Sequence, residues 1–207
     1  MQEAYLLLFF CVYITDNLIT VLTGKELERA VQEARRGSQE AMAKLYDAFV
    51  EKVYTYVYYR VGNHSEAEDL TEDIFVKMAE KIKNFKGKGH AFISWLFIIA
   101  KNSVTSYYRK KVRRETFTLS EISESIITSE SAEDEFLKDE GNKQLYEGIL
   151  QLTEEQQQII LLRFFSNLST SDVSKIVGKS QGAVKALQHR ALISLFKKLR
   201  KPMKGEE

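Results

Sequence analysis

The stretch around Phe85 to Arg114 sets Phe85, Phe92, Trp95, Phe97, Tyr107 and Tyr108 among Lys83, Lys86, Lys88, Lys101, Arg109, Lys110, Lys111, Arg113 and Arg114. Aromatic faces stack on unpaired bases, and Lys and Arg neutralise the phosphates that accompany them, so the interleaving suits a surface for single-stranded nucleic acid. It equally suits a packed helix with only its polar side free, and the stretch alone leaves both readings open. Just before the aromatic run, Asn84 to His90 (NFKGKGH) puts two glycines between lysines. Such a loop can cradle a phosphate or hold an unstacked base. It follows no strand and lacks the GKS/T ending of a nucleotide-hydrolysing loop. A plain turn between helices is the competing reading.

A second group lies near the C-terminus. Ser169 to Val177, the turn Gly178-Lys179-Ser180 and the run Gln181 to Leu199 have the order helix, glycine-bearing turn, helix. Val184, Leu187, Ala191 and Leu195 form the apolar stripe of the last helix. Ser180, Gln181, Gly182, Lys185, Ala186, His189 and Arg190, with Gln188 at the flank, lie at its start and on its other side. In a helix-turn-helix that side enters the major groove. Lys and Arg bond guanine edges there, and Gln bonds adenine edges. An ordinary solvated helix is the alternative. A third group is acidic: EAEDLTEDIF crowds Glu68, Asp69, Glu72 and Asp73 onto one polar side beside Leu70. Carboxylates one turn apart repel, and the positive end of the helix dipole offsets part of that. A basic protein partner would offset more. A solvated first turn is the simpler reading, and no adjacent nucleophile or metal-binding histidine suggests acid–base chemistry.

The elements that must hold these groups are helical. Leu27, Val31 and Ala34 mark a first amphipathic helix. Gly37-Ser38 breaks and recaps the chain. Ala41, Leu45, Ala48, Phe49, Val53, Val57 and Val61 continue at three- and four-residue spacing. Gly62-Asn63 ends that helix and Ser65 starts one carrying Ala67, Leu70, Ile74 and Met78. Phe92, Trp95, Leu96, Ile99 and Ala100 mark the next. Leu152, Ile159, Leu162 and Phe165 form an apolar face ahead of the C-terminal motif. The only proline of the 207 residues is Pro202, and no strand-turn-strand pattern occurs. The expected fold class is all-α: two small helical domains, 25–114 and 144–207, joined by an acidic linker at 115–143, with an apolar extension at 1–24.

Net charge follows the same division. Residues 1–24 carry −2, residues 25–114 carry +6, residues 115–143 carry −7 and residues 144–207 carry +4, which together give +1. Two basic blocks separated by an acidic one favour a polyanionic partner that the near-zero total conceals. A single cysteine, Cys11, excludes an internal disulfide framework, and His64, His90 and His189 are too widely spaced for a metal site. No metal, cofactor or small-molecule substrate is expected. The apolar run Tyr5 to Ile14 is shorter than the roughly 20 residues that span a bilayer, and it lacks the basic flank of a signal peptide. A packed extra helix, a partner-binding element and a start site nearer Val21 or Leu22 remain its readings. Sequencing the N-terminus of the native protein decides the last.

Taken together, these segments resemble the extracytoplasmic-function group of bacterial sigma factors over roughly Lys25 to Leu199. GSQEAMAKLYDAF, EAEDLTEDIFVKM and FISWLFIIAKNSVTSYYRKK resemble region 2. LTEEQQQIILLRFFSNLSTSDVSKIVGKSQGAVKALQHRAL resembles region 4. The resemblance implies a subunit without catalysis of its own that binds core RNA polymerase through Glu68, Asp69, Leu70, Glu72 and Asp73. It implies −10 contacts from Asn84, Phe85, Lys86, Lys88, His90, Trp95, Asn102, Tyr107, Tyr108 and Arg109, with Trp95 packing as well as binding. It implies −35 contacts from Ser180, Gln181, Gly182, Lys185, Ala186, His189 and Arg190. The implied partners are core RNA polymerase, promoter DNA and an anti-sigma factor. The implied location is the cytoplasm, or the membrane where an anti-sigma factor holds the chain there. Leu152-Thr153, Asp172-Val173-Ser174, Ala186-Leu187 and Thr105-Ser106 depart from the family's usual residues, which bears on promoter sequence. A stand-alone regulator with a LuxR-like helix-turn-helix is the rival, but residues 25–114 lack the alternating strands and helices of a receiver domain. A membrane-tethered protein using the apolar N-terminus is a third reading.

Overall fold

A computed structural model describes Leu22, residues 24–118 and residues 140–199. The apolar runs of the extension (Leu22 apart), the linker across 119–139 and the tail cations Arg200 and Lys201 lie outside the described residues. Among the described residues there are eight α-helices and no strands. They are α1 Gly24–Arg35, α2 Gln39–Val61, α3 His64–Lys81, α4 Gly89–Thr118, α5 Glu140–Leu150, α6 Glu154–Ile160, α7 Thr170–Val177 and α8 Gln181–Leu199. A 3-10 turn, Ile82–Asn84, follows α3, and a π turn, Leu161–Phe165, follows α6.

Short-range chemistry sets most of the boundaries. Ser38 caps α2 by accepting a hydrogen bond from the Ala41 amide at 3.2 Å. Gly62 ends the helix in the left-handed conformation, φ +76°, with its amide bonded to the Tyr58 carbonyl. The next helix starts earlier than Ser65 because the Asn63 side-chain oxygen already accepts from the Glu66 amide at 2.9 Å. Thr153 caps α6 in a reciprocal box with Gln156.

The first bundle, α1 to α4, buries Leu45, Val53, Ile74, Met78, Phe92, Leu96 and Phe97. Tyr56 meets Phe97 edge-on at 5.7 Å between ring centres. The second, α5 to α8, buries Ile149, Ile159, Ile160, Leu161, Leu162, Val173, Val184, Ala191 and Leu195. The apolar face expected to run evenly through Leu162 and Phe165 is widened by the π turn, where the Ser166 amide bonds the Leu161 carbonyl at 2.9 Å. This turn leaves Phe165 4.7 Å from Tyr59 of α2. Tyr146 of α5 lies 5.6 Å from Tyr58 and 5.4 Å from Tyr59. The two bundles are therefore packed together, with α7 lying on α4.

Gly89, the first residue of α4, sits where a Cβ would come within 2.7 Å of the Glu28 Cα and 2.8 Å of its amide nitrogen. Backbone cannot yield as a side chain does, so Gly89→Ala forces α1 and α4 apart. Its expected result is a lower urea midpoint with helix content kept. Phe92→Ala, which empties a fully buried site, is expected to cost about 3–5 kcal/mol in the same unfolding measurement.

Candidate nucleic-acid interface

The aromatic residues of the basic stretch separate into two sets. Phe92 and Phe97 are fully buried, and Phe85 is 7% exposed. Phe85 lies 4.9 Å from Trp95 and 6.0 Å from Phe92 between ring centres. Phe85 was expected as a base-capturing group. Here it is a core ring, because pulling it inward fills the space beneath the loop. The loop is accordingly shorter than Asn84 to His90. Asn84 belongs to the 3-10 turn, Gly89 and His90 begin α4, and Phe85 to Lys88 lie between. Asn84, Lys86, Lys88 and His90 are exposed, and Trp95 is half-buried.

Along α4, Trp95, Asn102 and Arg109 recur every seven residues and so share one side of the helix. Asn102 and Arg109 are exposed. The two tyrosines are tied down by their hydroxyls. Tyr107 donates to Glu66 Oε2 at 2.6 Å, and Tyr108 donates to the Arg60 carbonyl. Burial pushes the Tyr108 phenol above its ordinary pKa. Lys111 sits 5.6 Å above the Tyr107 ring, a cation–π contact. These ties fix the directions of both rings.

On α3, Glu68, Asp69, Glu72 and Asp73 are all exposed and Leu70 is half-buried. Inside the helix Lys77 pairs with Asp73, and His64 Nδ1 lies 3.2 Å from a Glu68 carboxylate oxygen. Val76, one turn beyond Glu72, is 56% exposed and adds an apolar group to the acidic side. Its signal in the sequence is that it falls off the stripe of Ala67, Leu70, Ile74 and Met78.

The start of α8 is capped by Ser180, whose hydroxyl accepts from the Ala183 amide at 3.2 Å. Gln181, Gly182, Lys185, Ala186, His189 and Arg190 are exposed, while Val184, Ala191 and Leu195 are buried on the opposite side. Gln188 is engaged: its side-chain oxygen accepts from Arg163 Nε at 3.1 Å. Arg163 also donates to the Leu168 carbonyl, next to Asn167 in the left-handed conformation at φ +52°. Arg163 thus joins the π turn, the entry to α7 and the outer helix. Its trace in the sequence is a single cation inside LLRFF.

Asp172, on α7, accepts from Ser94 of α4 at 2.7 Å and from Ser169, with Lys175 at 3.7 Å. Burial works to raise its carboxyl, but those two hydroxyls and the Lys175 charge together hold it below the ordinary carboxylate range. Among the described residues no helix is long and apolar enough to cross a membrane.

Comparison with known proteins puts two family models on the chain: sigma-70 region 2 over residues 45–114 and sigma-70 region 4 over residues 148–201. The chain is 35% identical over 169 residues to the ECF RNA polymerase sigma factor BldN of Streptomyces coelicolor, covering 82% of this chain and 64% of BldN. It is 27% identical over 182 residues to the ECF RNA polymerase sigma factor SigW of Bacillus subtilis, covering 84% of this chain and 97% of SigW. Its fold is similar to the sigma factor RpoE of Bartonella quintana, solved in complex with the anti-sigma factor NepR. The TM-score is 0.61 at 22% identity, over 76% of this chain and 96% of that one.

The depressed Asp172 carboxyl fixes the sign of a pH effect. An aspartate whose pKa is lower in the folded chain than its unfolded value of about 3.9 stabilises the fold above that value, and loses the effect as pH falls through the folded value. Wild type is expected to exceed Asp172→Asn in urea midpoint at pH 7, with the difference closing in strong acid. A difference that persists unchanged at pH 2 contradicts this.

Proposed function

The chain belongs to the extracytoplasmic-function sigma factors, and on that footing we propose that it binds core RNA polymerase, directs it to promoters and assists their melting. The observation that carries the reading is the presence of two separate DNA-suited surfaces, one on each bundle, in the order region 2 then region 4. The acidic side of α3, with Glu68, Asp69, Leu70, Glu72 and Asp73, is the surface for core polymerase, and Val76 belongs to it as an apolar contact. The exposed residues from Asn84 to His90, together with Trp95, Asn102 and Arg109 on one side of α4, form the −10 surface. Tyr107 and Tyr108 lie beside it. The role assigned to Phe85 changes: it props the loop and Trp95 from beneath.

The −35 surface is the exposed side of α8. Lys185 and Arg190 supply cationic donors for guanine edges or phosphates, His189 lies between them, and Gly182 and Ala186 leave room for the helix to approach the groove. Gln188 contributes less freely than its residue type suggests, because its oxygen is held by Arg163. An adenine amino group bonding the same oxygen would have to share it with Arg163. None of these roles needs covalent chemistry from the protein. The solved relative RpoE is bound by an anti-sigma factor, and a partner of that kind is proposed for this chain too.

Run-off transcription with purified core polymerase tests the reading. New start sites that depend on the chain are expected, and their alignment yields both promoter elements. Binding of duplex DNA without any core-dependent start would instead favour a stand-alone regulator. Once the −35 element is known, Arg190→Ala is expected to cost about 1–3 kcal/mol if Arg190 bonds a guanine edge, relaxing preference at one base pair. If it meets phosphate, the loss is uniform across sequences. Asp69→Arg is expected to weaken core binding in a pull-down while leaving helix content unchanged.

A further inference from the structure

Arg163 is half-buried in the π turn that precedes the helix-turn-helix. Its guanidinium donates to the Leu168 carbonyl and, through Nε at 3.1 Å, to the side-chain oxygen of Gln188. The first bond anchors it beside the left-handed Asn167, next to Ser169, the cap of α7. The second reaches across to the flank of α8. A guanidinium has donors and no acceptor, so the end of the Gln188 amide that faces it must be the oxygen. The NH2 end is thereby turned away from Arg163. The last torsion of a glutamine side chain is broad and roughly two-fold, so a glutamine without such a partner offers its donor and acceptor ends in either order.

Gln181, Lys185 and Gln188 follow one another on α8 at spacings of four and three, which places them in one column. Gln181 and Lys185 are exposed and Gln188 is half-buried. The column is therefore the edge of the −35 surface nearest the buried stripe of Val184, Ala191 and Leu195. On a reading helix, glutamine meets adenine with both ends of its amide, the oxygen accepting from N6 and the nitrogen donating to N7. Guanine presents two acceptors side by side, O6 and N7, and asks only for donors. Gln188 brings an oxygen already bonded to Arg163 and an NH2 end directed elsewhere. Its fixed amide thus matches guanine with nothing left to share, whereas adenine competes with Arg163 for the oxygen.

We propose that Arg163 is a positioning residue that determines base choice from outside the reading helix. By holding the Gln188 oxygen it presents the NH2 end to the groove, and so favours guanine over adenine at one base pair of the −35 element. This rests on the assignment of α8 to the −35 surface. It adds a residue of the preceding turn that acts on specificity through Gln188.

The test is selection from a promoter library randomised across the −35 element, by the full chain assembled with purified core polymerase. Gln188→Glu locates the base pair concerned, because a carboxylate accepts from cytosine N4 and is repelled by the acceptors of guanine. Preference is expected to change at that pair and at no other. Wild type is expected to select guanine over adenine there. Arg163→Met keeps the length of the side chain without its donors. It is expected to move the pair toward adenine by about fivefold or more, the low end of what a two-bond contact discriminates. Arg163→Lys keeps a donor and is expected to retain guanine, a rescue that a role in packing alone would not give. Should the methionine variant fail to fold, Arg163→Gln still donates to the Leu168 carbonyl but offers Gln188 an acceptor as well as a donor. It is expected to leave guanine and adenine nearly equal. A wild-type preference for adenine at the pair, an even loss across all positions in Gln188→Glu, or an unaltered base preference in both Arg163→Met and Arg163→Gln overturns the proposal. If wild type selects no −35 element at all, it is the assignment of α8 that fails.

Discussion

Helix α4 is sealed along one side from Phe92 through Leu96, Phe97 and Ala100 to Val104, all buried in the first bundle. Burial of this kind is worth roughly 1.5–3 kcal/mol for each large side chain. The register in which α4 lies on α1, α2 and α3 is therefore strongly specified. A helix with one side committed has little choice about the rest. Trp95, Asn102 and Arg109 fall at the edge of the sealed side, and Ser94 and Lys101 face the second bundle. Gly89 lets α4 begin tight against Glu28, and Phe85 folds under Trp95 to close the end. The placement of the basic loop follows from that closure.

The second bundle solves a similar problem with less material. Three of its four helices are shorter than any in the first bundle, and all four share a core of aliphatic side chains. The π turn at Leu161–Phe165 directs Phe165 at Tyr59 rather than leaving it on the outer surface. Arg163, in the same turn, bonds both the entry to α7 and Gln188 on α8. One irregular turn thus shapes the packing between the bundles and the direction of the outer helix. The contact between the bundles and the outer side of α8 are therefore joined through a single turn.

The electrostatics explain why a chain of net charge +1 suits DNA. Basic groups gather on the loop, the far half of α4 and the outer side of α8, while carboxylates gather on α3 and at the start of α6. Two of the cations nearest the contact, Arg60 and Lys101, are bonded within the molecule. The field that a nucleic acid meets therefore depends on how the bundles are arranged as well as on composition.

What the sequence determined by itself is whatever depends on near neighbours along the chain. Apolar spacing marked each helix, Ser38 and Gly62 marked two ends, and the order helix, Gly178, helix marked the C-terminal motif, because capping and 3.6-residue periodicity act over four or five residues. The same spacing separated the exposed side of α8 from its buried stripe. Partners far apart in sequence were decided only by tertiary structure. Phe85 and Phe92 look alike in a list of aromatics, and it is packing against Trp95 that turns Phe85 inward. Arg60 reads as an ordinary last-turn cation until Glu154, 94 residues away, closes on it. Lys101 reads as one more basic residue until the end of α7, 75 residues away, arrives at its ammonium. Such pairings depend on how two folded bundles meet, and local periodicity holds no record of that.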